Sequence, residues 1–97
     1  MDFRVSHIIS VKQFESADVD RIFQVADSME PYAHRQKMSK ALDGAILGNM
    51  FFEPSTRTRV SFGCAFNLLG GHVRETTDVK SSSITKGESL YDTARVI

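Results

Sequence analysis

Apolar positions along the chain fall first into a helical rhythm and then into a short unbroken run. Val19, Ile22, Phe23, Ala26 and Met29 recur at helical spacing, while Asp20, Arg21, Gln24 and Asp27 take the opposite face. Ser16, followed by Ala17 and Asp18, is the expected N-cap of this first helix. Pro31 weakens the pattern, which allows the helix to resume through residues 32–38. Asp43-Gly44 marks a turn. Residues 45–52, AILGNMFF, are mostly apolar and bounded by turn signals at both ends. Such a run predicts a strand buried on both faces, as in a parallel sheet. A second helix is predicted over residues 56–69, with Val60, Cys64, Phe66, Leu68 and Leu69 apolar and Gly70-Gly71 closing it. Cys64 is expected to fill the core. Residues 72–76 make a short strand candidate, and residues 77–87 a polar, Ser-rich loop. A last helix begins near Glu88, with Leu90, Ala94 and Ile97 on one face.

Helix, strand, helix, strand, loop and helix form an α/β order, which predicts a parallel sheet with flanking helices. At 97 residues the chain holds one domain at most. DTARVI runs to Ile97 inside a helical pattern with no glycine or proline to stop it, so an N-terminal piece of a longer protein is expected. Twelve basic and twelve acidic side chains leave no net charge, with a pI near 6.8. A nucleic-acid binder usually carries a basic surplus, and that class is set aside. No apolar run approaches the ~18 residues of a membrane span. Asp2, Arg4 and Lys12 interrupt the N-terminal stretch, which therefore lacks a signal peptide's core. The single cysteine excludes an internal disulfide and fits a reducing cytoplasm. His7, His34 and His72 share no spacing that suggests a metal site.

Chemistry is concentrated in FFEPSTRTRVSFG, residues 51–63. In a parallel α/β sheet, ligands bind beyond the carboxyl ends of the strands, where the next helices begin. Ser55, Thr56, Arg57 and Thr58 fall at that place. A helix's first turn offers free N–H groups and the positive end of its dipole, and it attracts phosphate. Hydroxyls of Ser55 and Thr58 add donors, and Arg57 adds a fork that matches phosphate oxygens. The plainer alternative is a capped helix with two solvated arginines. Against it, arginines in a first turn oppose the dipole at a cost of ~0.3–1 kcal/mol each. Such a local cost is tolerated more readily where function requires it. Arg59 is read as a brace for this turn or for neighbouring acids. Glu53 is expected to face away from the anion and to pair with cations.

FFEPSTRTRVSF, NLLGG and SSSITKGESLYDTARVI closely resemble the N-terminal half of the carbamoyl-phosphate-binding domain of aspartate carbamoyltransferases. The S-T-R-T-R block and the pairing of GES with DTARV are shared with ornithine carbamoyltransferases. The loop separates the branches: Ser82 stands four residues before Lys86, and Gly87-Glu88 follow, as in the aspartate enzymes. The resemblance implies an incomplete N-terminal domain of a two-domain transcarbamoylase, with the aspartate-binding domain absent. It implies transfer of a carbamoyl group from carbamoyl phosphate to L-aspartate in pyrimidine biosynthesis, with no cofactor and no metal. On matching positions, Ser55, Thr56, Arg57 and Thr58 hold the phosphate, and Thr58 also donates toward the carbamoyl oxygen. Lys86 and Ser82 enter the active site of an adjacent subunit, Ser83 being the alternative loop serine. Arg57, Thr58 and Lys86 are thus the expected catalytic residues. The implied working unit is a cytoplasmic homotrimer with shared sites, and regulatory or dihydroorotase chains are left open. Gly63 stands where relatives often have glutamate. An ornithine carbamoyltransferase and a non-catalytic phosphate-binding fragment are the rival readings.

Overall fold

The computed structural model describes residues 1–76. The predicted loop over residues 77–87, with Ser82 and Lys86, and the helix from Glu88 lie outside the described residues. The chain opens with a segment that folds back on the first helix. The Met1 ammonium stands 3.1 Å from Asp18 Oδ1, and the rings of Phe3 and Phe14 stack with centroids 6.3 Å apart. A single 3₁₀ turn, Val11–Gln13, follows, with the Ser10 hydroxyl accepting the Lys12 N–H.

Helix α1 spans Ser16–Ala33. Glu15, rather than Ser16, is its N-cap residue, and the Asp18 carboxylate accepts the Glu15 N–H at 2.9 Å. A carboxylate in the first turn thus reaches back to the N–H of the cap residue itself, the return half of a capping box, and also suits the positive end of the helix dipole. That backbone bond, with the Met1 ammonium beside it, holds the Asp18 carboxyl below its ordinary range. Pro31 lies in the last turn, where its missing N–H forfeits one intrahelical bond without breaking the helix. The helix does not resume to Met38. Arg35 takes the left-handed conformation, φ 59°, and the Pro31 carbonyl accepts the Gln36 N–H at 2.8 Å. This is a helix stop built on an arginine where glycine is usual.

Strands β1, Ile46–Met50, and β2, His72–Thr76, pair in parallel, with Ile46 opposite His72 and Met50 opposite Thr76. Helix α2, Thr56–Leu68, is the crossover between them. Over the described residues, the expected order of helix, strand, helix and strand is present, as is the parallel pairing. Backbone bonds from His72 to Ala45 and from Phe51 to Thr76, each 3.0 Å, carry the ladder one residue past either end. At the far end of α2, Gly70 has φ 93°, as the glycine pair predicted. There the Leu42 N–H donates to the Leu69 carbonyl at 2.8 Å and ties the segment before β1 to the end of α2. Gly71 is required for another reason, because a Cβ at that position would overlap the Phe66 ring. Gly71→Ala is expected to destabilise the full-length chain by about 1–3 kcal/mol, the usual range for overpacking. Chemical denaturation measures it, and an unmoved midpoint would show that the ring swings aside at no cost.

Helix α2 contacts both strands, and α1 contacts α2. One helix over a two-stranded sheet leaves much apolar surface open. Among the described residues no hydrophobic side chain is buried, and Ile46 in β1 is 58% exposed. The expectation of a strand buried on both faces is therefore not met, because α2 is the helix that covers the strands. Cys64, expected in the core, is exposed for the same reason. Along α1, Val19, Ile22, Phe23 and Met29 form the predicted apolar stripe, yet each is more than a third exposed. No helix among the described residues is long and apolar enough to cross a membrane.

Candidate functional site

Helix α2 starts just past the carboxyl end of β1, after the link from Phe51 to Ser55. Ser55 is its N-cap residue, with φ −140° and ψ 51°, and its hydroxyl makes no capping bond. The Arg59 N–H reaches the Ser55 carbonyl at 2.8 Å and closes the first turn. The N–H groups of Thr56, Arg57 and Thr58 have no acceptor among the described residues. Three free amides, an unused hydroxyl and a helix dipole thus converge at one point. No acidic residue occupies this first turn to neutralise it. Ser55 is half-buried, whereas Thr56, Arg57 and Thr58 are exposed. An anion can therefore approach the amides from solvent, and the arrangement suits the oxygens of a phosphate.

The two arginines of the turn have separate roles. Arg59 Nη1 lies 2.7 Å from Glu75 Oε2 on β2, which satisfies its charge within the protein. Its backbone carbonyl accepts Asn49 Nδ2 at 3.1 Å, and the same amide stands 3.4 Å from Glu75 Oε1. Arg59 braces the turn against a neighbouring acid, as the sequence suggested. Arg57 has no ion pair and no side-chain hydrogen bond among the described residues. Of the turn's two guanidiniums, that of Arg57 is the one without a partner among the described residues. Glu53 is exposed and has no ion pair among the described residues.

Asn49 and Glu75 were not among the residues predicted from sequence. Asn49 carried a signal: an amide inside AILGNMFF must find partners if it is buried, and it is only 4% exposed. Glu75 carried none, since an acid in HVRET reads as a solvated strand residue. Gly63 is the residue of α2 that is buried, at the place where the helix approaches both of these side chains.

A parallel βαβ unit whose crossover helix opens just past its first strand defines an α/β domain of the kind that meets ligands at that point. The chain belongs to the aspartate/ornithine carbamoyltransferase family: the sequence profile of the family's carbamoyl-P binding domain matches residues 6–97. Its relatives within that family include aspartate enzymes. The aspartate carbamoyltransferase catalytic subunit of Saccharophagus degradans is 78% identical over all 97 residues. The catalytic subunit of M. jannaschii aspartate transcarbamoylase is 48% identical, with a TM-score of 0.81 over 93% of this chain and 29% of that one. Aspartate transcarbamoylase from Trypanosoma cruzi, solved with carbamoyl phosphate, is 38% identical with the same TM-score, 0.81, over 94% of this chain and 29% of that one. The chain also spans only 29% of the length of the Saccharophagus degradans protein.

Proposed function

We propose that these residues form the phosphate-gripping part of an aspartate carbamoyltransferase active site. The observation that carries this is the opening turn of α2, with three amides and an arginine that have no partner among the described residues. In the full-length enzyme, the amides of Thr56, Arg57 and Thr58 receive the phosphate oxygens of carbamoyl phosphate. The Ser55 hydroxyl and the Arg57 fork complete the grip. Thr58 donates toward the carbamoyl oxygen. Support for carbamoyl phosphate and aspartate as substrates comes from the Trypanosoma cruzi enzyme, which has been solved with both.

The reaction joins the neutral amine of L-aspartate to the carbamoyl carbon. Negative charge grows on the carbonyl oxygen and passes to phosphate as the C–O bond breaks. The departing phosphate takes up the proton shed by the amine, giving N-carbamoyl-L-aspartate and phosphate. Donors fixed where that charge develops lower the barrier. Holding amine and carbonyl together supplies much of the rest. Carbamoyl phosphate is a mixed anhydride with a good leaving group, so the transfer needs neither metal nor organic cofactor. Lys86 and Ser82 reach this turn from an adjacent subunit, making the working unit a cytoplasmic homotrimer that serves pyrimidine biosynthesis.

The test is calorimetry on the full-length catalytic chain with carbamoyl phosphate and with the bisubstrate mimic N-phosphonacetyl-L-aspartate. Both are expected to bind, the mimic far more tightly because it carries both substrate halves. The 97-residue chain alone is expected to show no turnover. Equal binding of inorganic phosphate and carbamoyl phosphate, with no turnover from the full-length chain, would identify a phosphate-binding fragment instead.

A further inference from the structure

Glu75 lies where a side chain from α2 would otherwise stand. A Cβ built on Gly63 would be 3.5 Å from Glu75 Oε1, 3.6 Å from Asn49 Nδ2 and 3.9 Å from Val73 Cγ1. A methyl group fits at those distances, but any longer side chain must displace the carboxylate or the amide. The absent side chain lets α2 settle onto β1 and β2, and the vacated space is filled from the strands. From β1, Asn49 is almost wholly buried and donates to the Arg59 carbonyl, inside the first turn of α2. From β2, Glu75 accepts from the Arg59 guanidinium at 2.7 Å. Two strands thus hold one residue of the helix by its main chain and its side chain. That residue directly follows the Ser55–Thr58 turn, and its N–H closes that turn onto Ser55.

We infer that Glu75, seated with Asn49 in the space left by Gly63, is a positioning residue that holds Arg59 and thereby aims the opening turn of α2. The inference rests on the phosphate-site reading above and adds to it the device that fixes the turn. Two consequences come from the geometry. The Glu75 carboxylate cancels the charge of Arg59 and leaves Arg57 as the guanidinium available to an anion. Residues 63 and 75 are also interchangeable in principle. Position 63 lies one helical turn beyond Arg59, at i+4, so a carboxylate there can reach the same guanidinium. A chain can carry that acid on the helix or on the strand, but two carboxylates in one space would repel each other.

The experiment compares Glu75→Gln, the exchange Gly63→Glu with Glu75→Gly, and Arg57→Ala, all in the full-length catalytic chain. Losing one charge-assisted bond that orders the turn is expected to raise the KM for carbamoyl phosphate roughly tenfold in Glu75→Gln. The change in kcat is expected to be much smaller, since no reacting atom is touched. The exchange variant is expected to recover most of the lost affinity. A KM unchanged in Glu75→Gln, with only the melting temperature lowered, would reduce the cluster to scaffolding and overturn the inference. Should Glu75→Gln fail to fold, the exchange variant decides: a near-native KM supports the device, and a KM raised tenfold overturns it. A KM raised by Arg57→Ala but not by Glu75→Gln removes this inference alone. A KM indifferent to both removes the phosphate site itself.

Discussion

Arg57→Ala in the full-length catalytic chain is expected to lower kcat/KM for carbamoyl phosphate by about 10²–10³-fold, the usual loss when a donor to developing negative charge is deleted. The expectation comes from what Arg57 lacks. Arg59, two residues on, has its charge met by Glu75 at 2.7 Å. Arg57 has no such partner among the described residues, although it stands at the positive end of a helix dipole. Keeping a cation there costs about 0.3–1 kcal/mol in the absence of an anion. Removing it should therefore leave the melting temperature unchanged or slightly raised while activity collapses. Arg57→Lys keeps the charge but loses the planar fork, so it should recover only part of the loss. Steady-state kinetics beside a thermal melt separate the two effects. A melt that falls together with activity would mean that Arg57 supports the fold, and an unaltered kcat/KM would move the anion elsewhere.

The second large effect is a restoration of activity. Chains carrying Arg57→Ala and chains carrying Lys86→Ala are each expected to be nearly inactive when assembled alone. Mixed, unfolded and reassembled together, they are expected to regain turnover. The expectation rests on the proposal that, in a closed ring, a site takes its turn from one chain and its lysine from the next. A Lys86→Ala chain supplies an intact turn, and an Arg57→Ala neighbour supplies an intact lysine. Random mixing in equal amounts makes about a quarter of the sites complete in a cyclic trimer. Turnover near that fraction of the unmodified enzyme would support sites shared between subunits. No recovery, with assembly intact, would mean that Lys86 serves its own chain.

Much of this architecture could be read before any coordinates. Strand β2 falls on the predicted residues 72–76, and α2 ends within one residue of expectation, because Gly70-Gly71 is a strong stop. Its start at Thr56 was equally legible, since Pro54 and Ser55 punctuate the chain there. The turn stood out as a candidate anion site because hydroxyls and arginines cluster where acids would normally suit the dipole. Other features were hidden for identifiable reasons. Helix α1 stops at Arg35, and no propensity scale points to an arginine with positive φ. The apolar run of β1 suggested burial on both faces, but its buried residue is the amide Asn49. Apolar patterning reports what a segment can bury, whereas exposure depends on which elements cover it. The bond between Glu75 and Arg59 joins residues 16 apart along the chain, and neither local spacing nor composition encodes such a pairing.

One bond at the opposite end of the sheet gives the unit a division of labour. The Leu42 amide and the Leu69 carbonyl clasp the two approaches to the strands, and the His72 amide fastens to Ala45 close by. Both strands therefore depart from a single knot and deliver their far ends to the side of the sheet where α2 opens. Drift in the residues of that knot bears on whether the chain holds its shape. Drift after Met50 bears on what it holds.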